Sequence, residues 1–430
     1  MDRLTYSFFD IIRTLSNAVD LVSPELSGHH LQVARLAFRI AEQMGLTEEA
    51  QRNIFMAGLV HDIGALSARE RLELIEAEPP GASSHGFRGA RLLKEFGPFS
   101  SIADIVRCHH LPWNYGHGKW HLDAAVPMES HIVHLADRAC VQFKSGGNVL
   151  GQVPDLIDQI RRQKGSVFAP DPVDALCALA PREYVWLELA FSEPVEAAPR
   201  FLNELRPLTM ADVLEISQMF SHIIDFRSRF TATHSAGVAK TAEMLAEMAG
   251  FSQNECLSMR IAGYLHDLGK LAIDNDLLEK PGKLTPQEFD IIRGHTYFTY
   301  RLLNGIEGFA TINRWASFHH EKLNGNGYPF HLGAESLPAG SRIMAVADIF
   351  TAITEPRPYR EGMKPDAATK VLRSMVESGA ICDRFVSLLL DHFKQFTVAC
   401  LESQQEAAEY YERFFREDEL ENRRQRTARG

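Results

Sequence analysis

The sequence predicts an all-α protein built from two tandem helical domains. Three observations predict it. Apolar residues recur at three-to-four spacing along "SGHHLQVARLAFRIAEQMGL" and "THSAGVAKTAEMLAEMAGF", the period of a helix with one buried stripe. Few stretches show the period-two alternation of a half-buried strand. The chain also repeats itself. "LVHDIGAL" at 59–66 returns as "YLHDLGKL" at 264–271, and "HHLQVARLAFRIAEQMG" at 29–45 returns as "HSAGVAKTAEMLAEMAG" at 234–250, both 205 residues later.

The repeat runs on in order. "HGFRGARLL" (85–93) pairs with "HTYFTYRLL" (295–303), "CHHL" (108–111) with "HHE" (319–321), and "VHLADRA" (133–139) with "MAVADIF" (344–350), at offsets of 210, 210 and 211 residues. Five anchors with this spacing mean a tandem duplication. Gly45 and Gly250 sit where the first long helix of each copy should stop. The expected boundaries are 1–190 for the first domain, 191–208 for a linker, 209–403 for the second domain and 404–430 for a charged tail. The linker is placed by the three prolines of "AFSEPVEAAPRFLNELRPLT". The tail reads as a helix that ends in disorder at "ENRRQRTARG".

Composition bounds the function. With 45% apolar and 23% charged residues, the 430-residue chain has the make-up of a soluble globular protein. No apolar run approaches the ~20 residues that span a bilayer. The start, "MDRLTYSFFDIIRTL", lacks the basic and apolar regions of a secretory leader. The expected location is the cytoplasm, with no membrane partner. Six scattered cysteines argue against a disulfide framework or a zinc ribbon. A net charge of −11 makes polymeric nucleic acid an unsuitable partner. An anionic substrate would need local cations or metal ions. A homodimer stays open.

Each copy supplies seven side chains of ligand type, separated by helical lengths. They are His29, His61, Asp62, His85, His109, His110 and Asp137 in the first copy. In the second they are His234, His266, Asp267, His295, His319, His320 and Asp348. Imidazole and carboxylate suit Fe, Mn, Ni or Zn. Five histidines and two aspartates exceed the needs of one ion and suit two, with an Asp carboxylate between them. Paired ions activate water and neutralise charge on a phosphoryl group during in-line displacement. A lone buried histidine is usually a hydrogen-bonded core residue, but seven such residues repeated at one spacing are not independent accidents. The methionines of 234–250 read as core filler.

On "DFRSRFTATHS" (225–235), "HDLGK" (266–270), "GHTYFTYRLL" (294–303), "HHEKLNGNGYP" (319–329) and "ADIFTAITEPRPYR" (347–360), the second copy resembles the HD-GYP phosphodiesterases, a subgroup of the HD metal-dependent phosphohydrolases. The resemblance spans roughly 209–400. It implies an all-helical fold, two or three bound metals, and hydrolysis of a cyclic dinucleotide, chiefly cyclic di-GMP, to the linear 5′-phosphorylated dinucleotide or to mononucleotides. It makes the seven second-copy residues metal ligands, with Asp267 bridging. It gives Lys270 the substrate phosphate, and Tyr328, Arg357 and Arg360 contacts to the ligand. Lys270 sits one helical turn beyond His266, so both can face one site. Gly325 and Gly327 let the GYP loop turn tightly.

Two departures from the family pattern matter. Phe230 stands where some members have a Glu that helps hold a third metal, so two divalent ions are expected, with Fe, Mn or Ni as candidates. Thr351 stands where the family often has an Asp near the base pocket. That weakens the case for strict guanine preference and makes 3′3′-cyclic GMP–AMP a candidate substrate.

The first copy resembles a general HD domain. It keeps its seven ligand-type residues and adds Glu25, four before His29. Ala65 replaces the lysine, "HHLPWNYGHGKW" (109–120) replaces the GYP loop, and nothing matches "RPYR". A second metal site is expected here. HD domains without GYP include 5′-nucleotidases, so this copy is expected to dephosphorylate the linear product. His30, about 100° around the helix from His29, is expected to face elsewhere, and His134 to support the site or simply to pack. The competing reading is a non-catalytic cyclic-dinucleotide receptor with a degenerate first copy. The intact ligand set and Lys270 weigh against it.

Overall fold

Helices are set out by local signals before they pack. Thr47 starts one helix by accepting from the Ala50 N–H, while Thr209–Asp212, Ser252–Glu255 and Thr285–Glu288 form reciprocal capping boxes. Gly45 and Gly250 end their helices with φ of 69° and 88°, the left-handed conformation favoured at that position. The computed structural model describes residues 5–21, 28–67, 70–71, 73–74, 83–121, 124–144, 146–191, 207–227, 232–280, 282–356 and 361–429.

After α1 (Phe8–Asp20), the first copy is built on α2 (His29–Gln43), α3 (Glu48–Val60), α4 (Ser83–Lys94), α5 (Ala103–Cys108) and α6 (Met128–Gln142). It continues through α7 (Val153–Arg162), α8 (Pro170–Leu179) and α9 (Glu183–Phe191). Helix α2 packs on α3, α6 and α8, and α4 packs on α5. Among the described residues the one sheet is a ribbon of Trp120–His121 against Ala124–Ala125.

The second copy opens with α10 (Met210–Asp225), α11 (His234–Met248), α12 (Gln253–Leu265), α13 (Asn275–Leu278), α14 (Pro286–Leu303) and α15 (Ala310–Ser317). It ends with α16 (Ala339–Thr354), α17 (Pro365–Glu377), α18 (Asp383–Asp391) and α19 (Phe393–Arg429). Helix α11 packs on α12 and α16, and α14 on α15. The cores α2–α6 and α11, α12, α14–α16 are therefore the same five-helix arrangement. One close approach is shared too. A Cβ at Gly64 would lie 2.0 Å from the His85 carbonyl oxygen, and one at Gly269 would lie 1.9 Å from that of His295. Only glycine lets the His-Asp turn lie against the helix that carries the next histidine.

The described residues form two compact units: Met1–Thr14 with Pro207–Phe415, and Leu15–Arg206 with Arg416–Gly430. Both ends of the chain thus group differently from the boundaries drawn on the sequence. Tyr6 exchanges backbone hydrogen bonds of 2.9 Å with Leu208 and sets its ring edge-on to Phe309 at 5.2 Å. At the other end Arg91–Glu417 (2.7 Å) and Arg107–Glu421 (3.2 Å) tie the close of α19 to α4 and α5. The tail is helical to Arg429 where its charges suggested disorder. Of the expected linker, 192–206 lies outside the described residues. No helix is long and apolar enough to cross a membrane among the described residues.

Candidate metal and active sites

In the second copy, His234 opens α11, His266 and Asp267 close α12, His295 lies within α14, His319 and His320 follow α15, and Asp348 lies within α16. Packing gathers six of the seven as two ligand groups, His234–His266–Asp348 and His295–His319–His320, with the donor atoms of each group within 4.8 Å of one another. Asp267 lies between the groups. Its Oδ2 is 3.1 Å from His266 Nε2, and its Oδ1 is 3.4 and 4.0 Å from Nε2 of His295 and His319. Nδ1 of His266, His295 and His319 each donates to the carbonyl three residues back, at 2.8, 2.6 and 2.6 Å. This fixes the tautomer and leaves each Nε2 lone pair facing the cluster.

Lys270 Nζ pairs with Asp267 Oδ2 at 2.5 Å. Tyr328 sets its ring 4.9 Å from that of His320, and both are only partly buried. The loop that carries Tyr328 is fastened by Glu321, whose carboxylate accepts the Phe330 and Leu332 N–H groups at 2.6 and 3.0 Å. A Cβ at Gly327 would lie 2.4 Å from the Glu321 Cα, so the loop needs glycine there. Arg357, Arg360 and Phe230 lie outside the described residues.

Sequence reasoning missed three side chains here. Glu355, two residues before "RPYR", sets Oε2 3.3 Å from His234 Nδ1, while its Oε1 accepts from Thr233 Oγ1 (2.8 Å) and Gln404 Nε2 (3.0 Å). Asp225 accepts from the Ser235 N–H (3.3 Å) and hydroxyl (3.0 Å) at the start of α11, and burial pushes its carboxyl up to about 7. Arg293 places its guanidinium 5.0 Å from the Tyr328 ring centre. Thr351 corrects an expectation. It is 0% exposed, with Cγ2 against Gly237 and Oγ1 3.9 Å from Cys400 Sγ, so it fills the core between α11 and α19. It therefore gives no argument about base choice.

The first copy repeats the cluster. Asp62 Oδ2 is 3.4 Å from His61 Nε2, and its Oδ1 is 3.0 and 3.5 Å from Nε2 of His85 and His109. Asp137 Oδ1 is 3.2 Å from His29 Nε2. The groups are His29–His61–Asp137 and Asp62–His85–His109–His110. Nδ1 of His61 and His109 donates to the carbonyls of Gly58 (2.9 Å) and Val106 (2.6 Å). Glu25 lies outside the described residues. His134 packs by Phe168 and His110, with ring centres 5.4 and 5.9 Å apart. His30 does not face elsewhere. It joins His61 and Asp62 in a further group. The helical-wheel angle from His29 was right, but the site extends across that angle.

These residues fit divalent metal. His61 Nε2 and His266 Nε2 are buried without a hydrogen bond, and each faces carboxylate oxygens. A proton on the ring or a bound cation would satisfy this contact, so the site can take either. Without a metal ion, protons take that place on two of the rings. Burial pulls the His61 imidazole down, but Asp62 and Asp137 outweigh it and lift the ring to about 9. His234 rises to about 10 in the same way, against burial, through Asp348 and Glu355. Burial holds His109 down at about 4 and His295 at about 3, which keeps their lone pairs available. Against their own burial, Asp62 and Asp267 lie well below the carboxylate range, held there chiefly by His61 and His266.

Family models described as "HD domain" match residues 26–140 and 218–383. The chain is 30% identical to "3'3'-cGAMP-specific phosphodiesterase 3" of Vibrio cholerae over 318 residues, which cover 72% of this chain and 68% of that protein. The chain belongs to the HD-domain family, with an HD-GYP domain as its second copy. This tandem HD protein is also 29% identical to "3'3'-cGAMP-specific phosphodiesterase 1" of V. cholerae, across 91% of this chain and 92% of that one. The "Cyclic di-GMP phosphodiesterase response regulator RpfG" of Xanthomonas campestris is 35% identical over 43% of this chain and 50% of its own length. A solved cyclic GMP-AMP phosphodiesterase of V. cholerae, V-cGAP3, has the same fold, with a TM-score of 0.63 at 22% identity over 94% of this chain and 98% of that one.

Proposed function

We propose that this tandem HD protein is a metal-dependent phosphodiesterase that opens a cyclic dinucleotide at its second copy. We place 3′3′-cyclic GMP–AMP ahead of cyclic di-GMP, because the relatives that match most of the chain carry the former in their names. The observation that carries the reading is Asp267, set between two ligand groups, with Lys270 at 2.5 Å and Tyr328 beside His320. His234, His266, Asp267, His295, His319, His320 and Asp348 would hold two divalent ions, with Fe, Mn and Ni as candidates. When bound, such a pair supplies Lewis acidity toward phosphoryl oxygens and makes water more acidic.

The chain's own residues do the rest. Lys270 binds the phosphoryl oxygen on which negative charge builds up, and stabilises it there. Tyr328 gives the ligand a flat face at the partly exposed side of the site, and Arg357 and Arg360 are proposed to clamp phosphate or a guanine edge. Water adds to phosphorus, the bond from phosphorus to the 3′ oxygen breaks, and that oxygen leaves as a hydroxyl. The product is a linear dinucleotide with a 5′-phosphate. The first copy, which lacks the lysine and the GYP loop but holds an equivalent cluster, is proposed to release that phosphate as a 5′-nucleotidase. A cytoplasmic location and a homodimer complete the proposal, to be tested by fractionation and light scattering.

Mass spectrometry of the products from the Mn-loaded protein tests the whole. Each ring is offered separately. A linear dinucleotide without its 5′-phosphate, plus inorganic phosphate, supports both copies. A linear product that keeps the phosphate limits the activity to the second copy. Stoichiometric binding without turnover would overturn the reading in favour of a receptor.

A further inference from the structure

Helix α2 begins with two adjacent histidines, and both reach the first-copy cluster from different sides. His29 Nε2 lies 3.2 Å from Asp137 Oδ1. The His30 ring turns the other way, and its Nδ1 is bonded to Asp20 at the end of α1. Asp20 also accepts the Gly28 N–H at 3.1 Å, so one carboxylate fixes the entry of α2 and the orientation of the ring. With Nδ1–H given to Asp20, Nε2 carries the lone pair. That atom is buried and has no hydrogen bond, in a residue 1% exposed. A ring nitrogen of His30 lies within 4.8 Å of donor atoms of His61 and Asp62, and the His30 ring centre is 4.8 Å from that of His61.

The second copy shows what this position looks like without an imidazole. Ser235 stands there, 205 residues on, and Asp225 stands in the place of Asp20. The Ser235 hydroxyl donates to Asp225 at 3.0 Å, and the short side chain ends there. The carboxylate at the helix start is thus common to both copies, while a nitrogen donor directed into the cluster belongs to the first alone. A buried lone pair left unsatisfied would cost desolvation with no return. A carboxylate that accepts from one ring nitrogen while the other faces a ligand group is the arrangement by which proteins orient and strengthen an imidazole donor.

We propose that His30 is a metal ligand of the first copy, oriented by Asp20 and acting beside His61 and Asp62. The first site then offers one more imidazole than the second. It should favour metals that take nitrogen readily, such as Ni, Zn and Fe, over Mn, by comparison with the second site. The inference rests on the reading that the first copy holds metal.

The test uses the full-length chain and variants His30→Ser, which copies the second copy, Asp20→Asn and Asp62→Ala. Metal content is measured after dialysis against Mn²⁺ and Zn²⁺, and the visible spectrum is recorded with Co²⁺. His30→Ser is expected to weaken first-site affinity by about ten- to a hundredfold and to change the Co²⁺ spectrum, with Asp20→Asn shifting both in the same direction. Metal content, affinity and spectrum all unchanged in His30→Ser, while Asp62→Ala loses metal, would overturn the ligand role alone. No loss in Asp62→Ala would overturn the underlying reading of a metal-bound first copy. If His30→Ser does not fold by circular dichroism, His30→Gln, which can still bond Asp20 but brings no imidazole nitrogen, is read in the same way.

Discussion

In the second copy the Asp267 carboxylate shares its Oδ2 with Lys270, at 2.5 Å. In the first copy Ala65 holds the lysine's place, and the cation near Asp62 is Arg71, brought in from six residues further on. Arg71 spends Nε on the Ala65 carbonyl (2.7 Å) and Nη1 on that of Val19 (3.0 Å), so it braces the fold under the site. Burial lowers this guanidinium to about 10, with Asp62 the leading charge that opposes the fall. A second contrast lies at the last aspartate. Asp137 Oδ2 is gripped by Arg138 at 2.7 Å, while Asp348 Oδ2 looks toward His320 Nδ1 at 3.9 Å. The two copies share the ligand cluster and differ in the residues around it. One has an ammonium paired with Asp267 and an aromatic loop, the other two hydrogen-bonded arginines and a further imidazole beside the cluster.

The comparison breaks most sharply if the sites are not independent. Asp267→Ala should remove second-site metal and cut ring opening by about a thousandfold or more, given the several kcal/mol that metal supplies. Asp62→Ala should leave ring opening within about threefold and abolish release of inorganic phosphate from the linear dinucleotide. Loss of ring opening in Asp62→Ala would mean one coupled site. Lys270→Ala should lower kcat for ring opening by about a hundredfold, the usual effect of losing one charge-stabilising donor. Equal metal content in that variant would separate the loss from simple loss of metal.

A smaller effect is expected at Glu355, which has no acidic counterpart in the first copy, where Lys144 stands at the same offset from Asp137. Glu355→Gln should weaken second-site metal affinity by about tenfold, read by metal titration, because it loosens the hold on His234. An unchanged affinity would make Glu355 a packing residue only.

The smallest effect concerns stability against pH. His222 stacks on Tyr410 and Phe226, with ring centres 4.3 and 5.3 Å apart, and burial pulls its imidazole down to about 4. The unfolded chain takes up that proton near pH 6.5 and the folded chain only near 4, so the contribution is fully present above pH 6.5 and is lost as pH falls toward 4. The expected loss is about 1–2 kcal/mol by urea unfolding, scaled down from the full shift because the ring is not completely enclosed. His222→Phe should flatten that limb. The first copy has Asn17 at the matching position, which does not titrate.

Much of this was legible in one dimension. The helices announce themselves by apolar period and caps, and the duplication by offsets of 205 to 211 residues. The seven ligand-type residues of each copy follow from His and Asp spacing, and the structure gathers all of them. These features were readable because each depends on local geometry or on a pattern present twice. Tertiary structure decided the rest. His30 enters the cluster because α1 brings Asp20 to its ring; the angle along α2 alone sent it away. Thr351 left the pocket because α11 and α19 close over it. Glu355, Arg71 and Arg138 gained their roles from partners far along the chain or from a rotamer, which spacing does not encode. The sequence by itself determined which side chains could bind metal and how often. Packing alone determined which neighbours orient, charge and restrict them, because those contacts join residues whose separation along the chain carries no periodic signal.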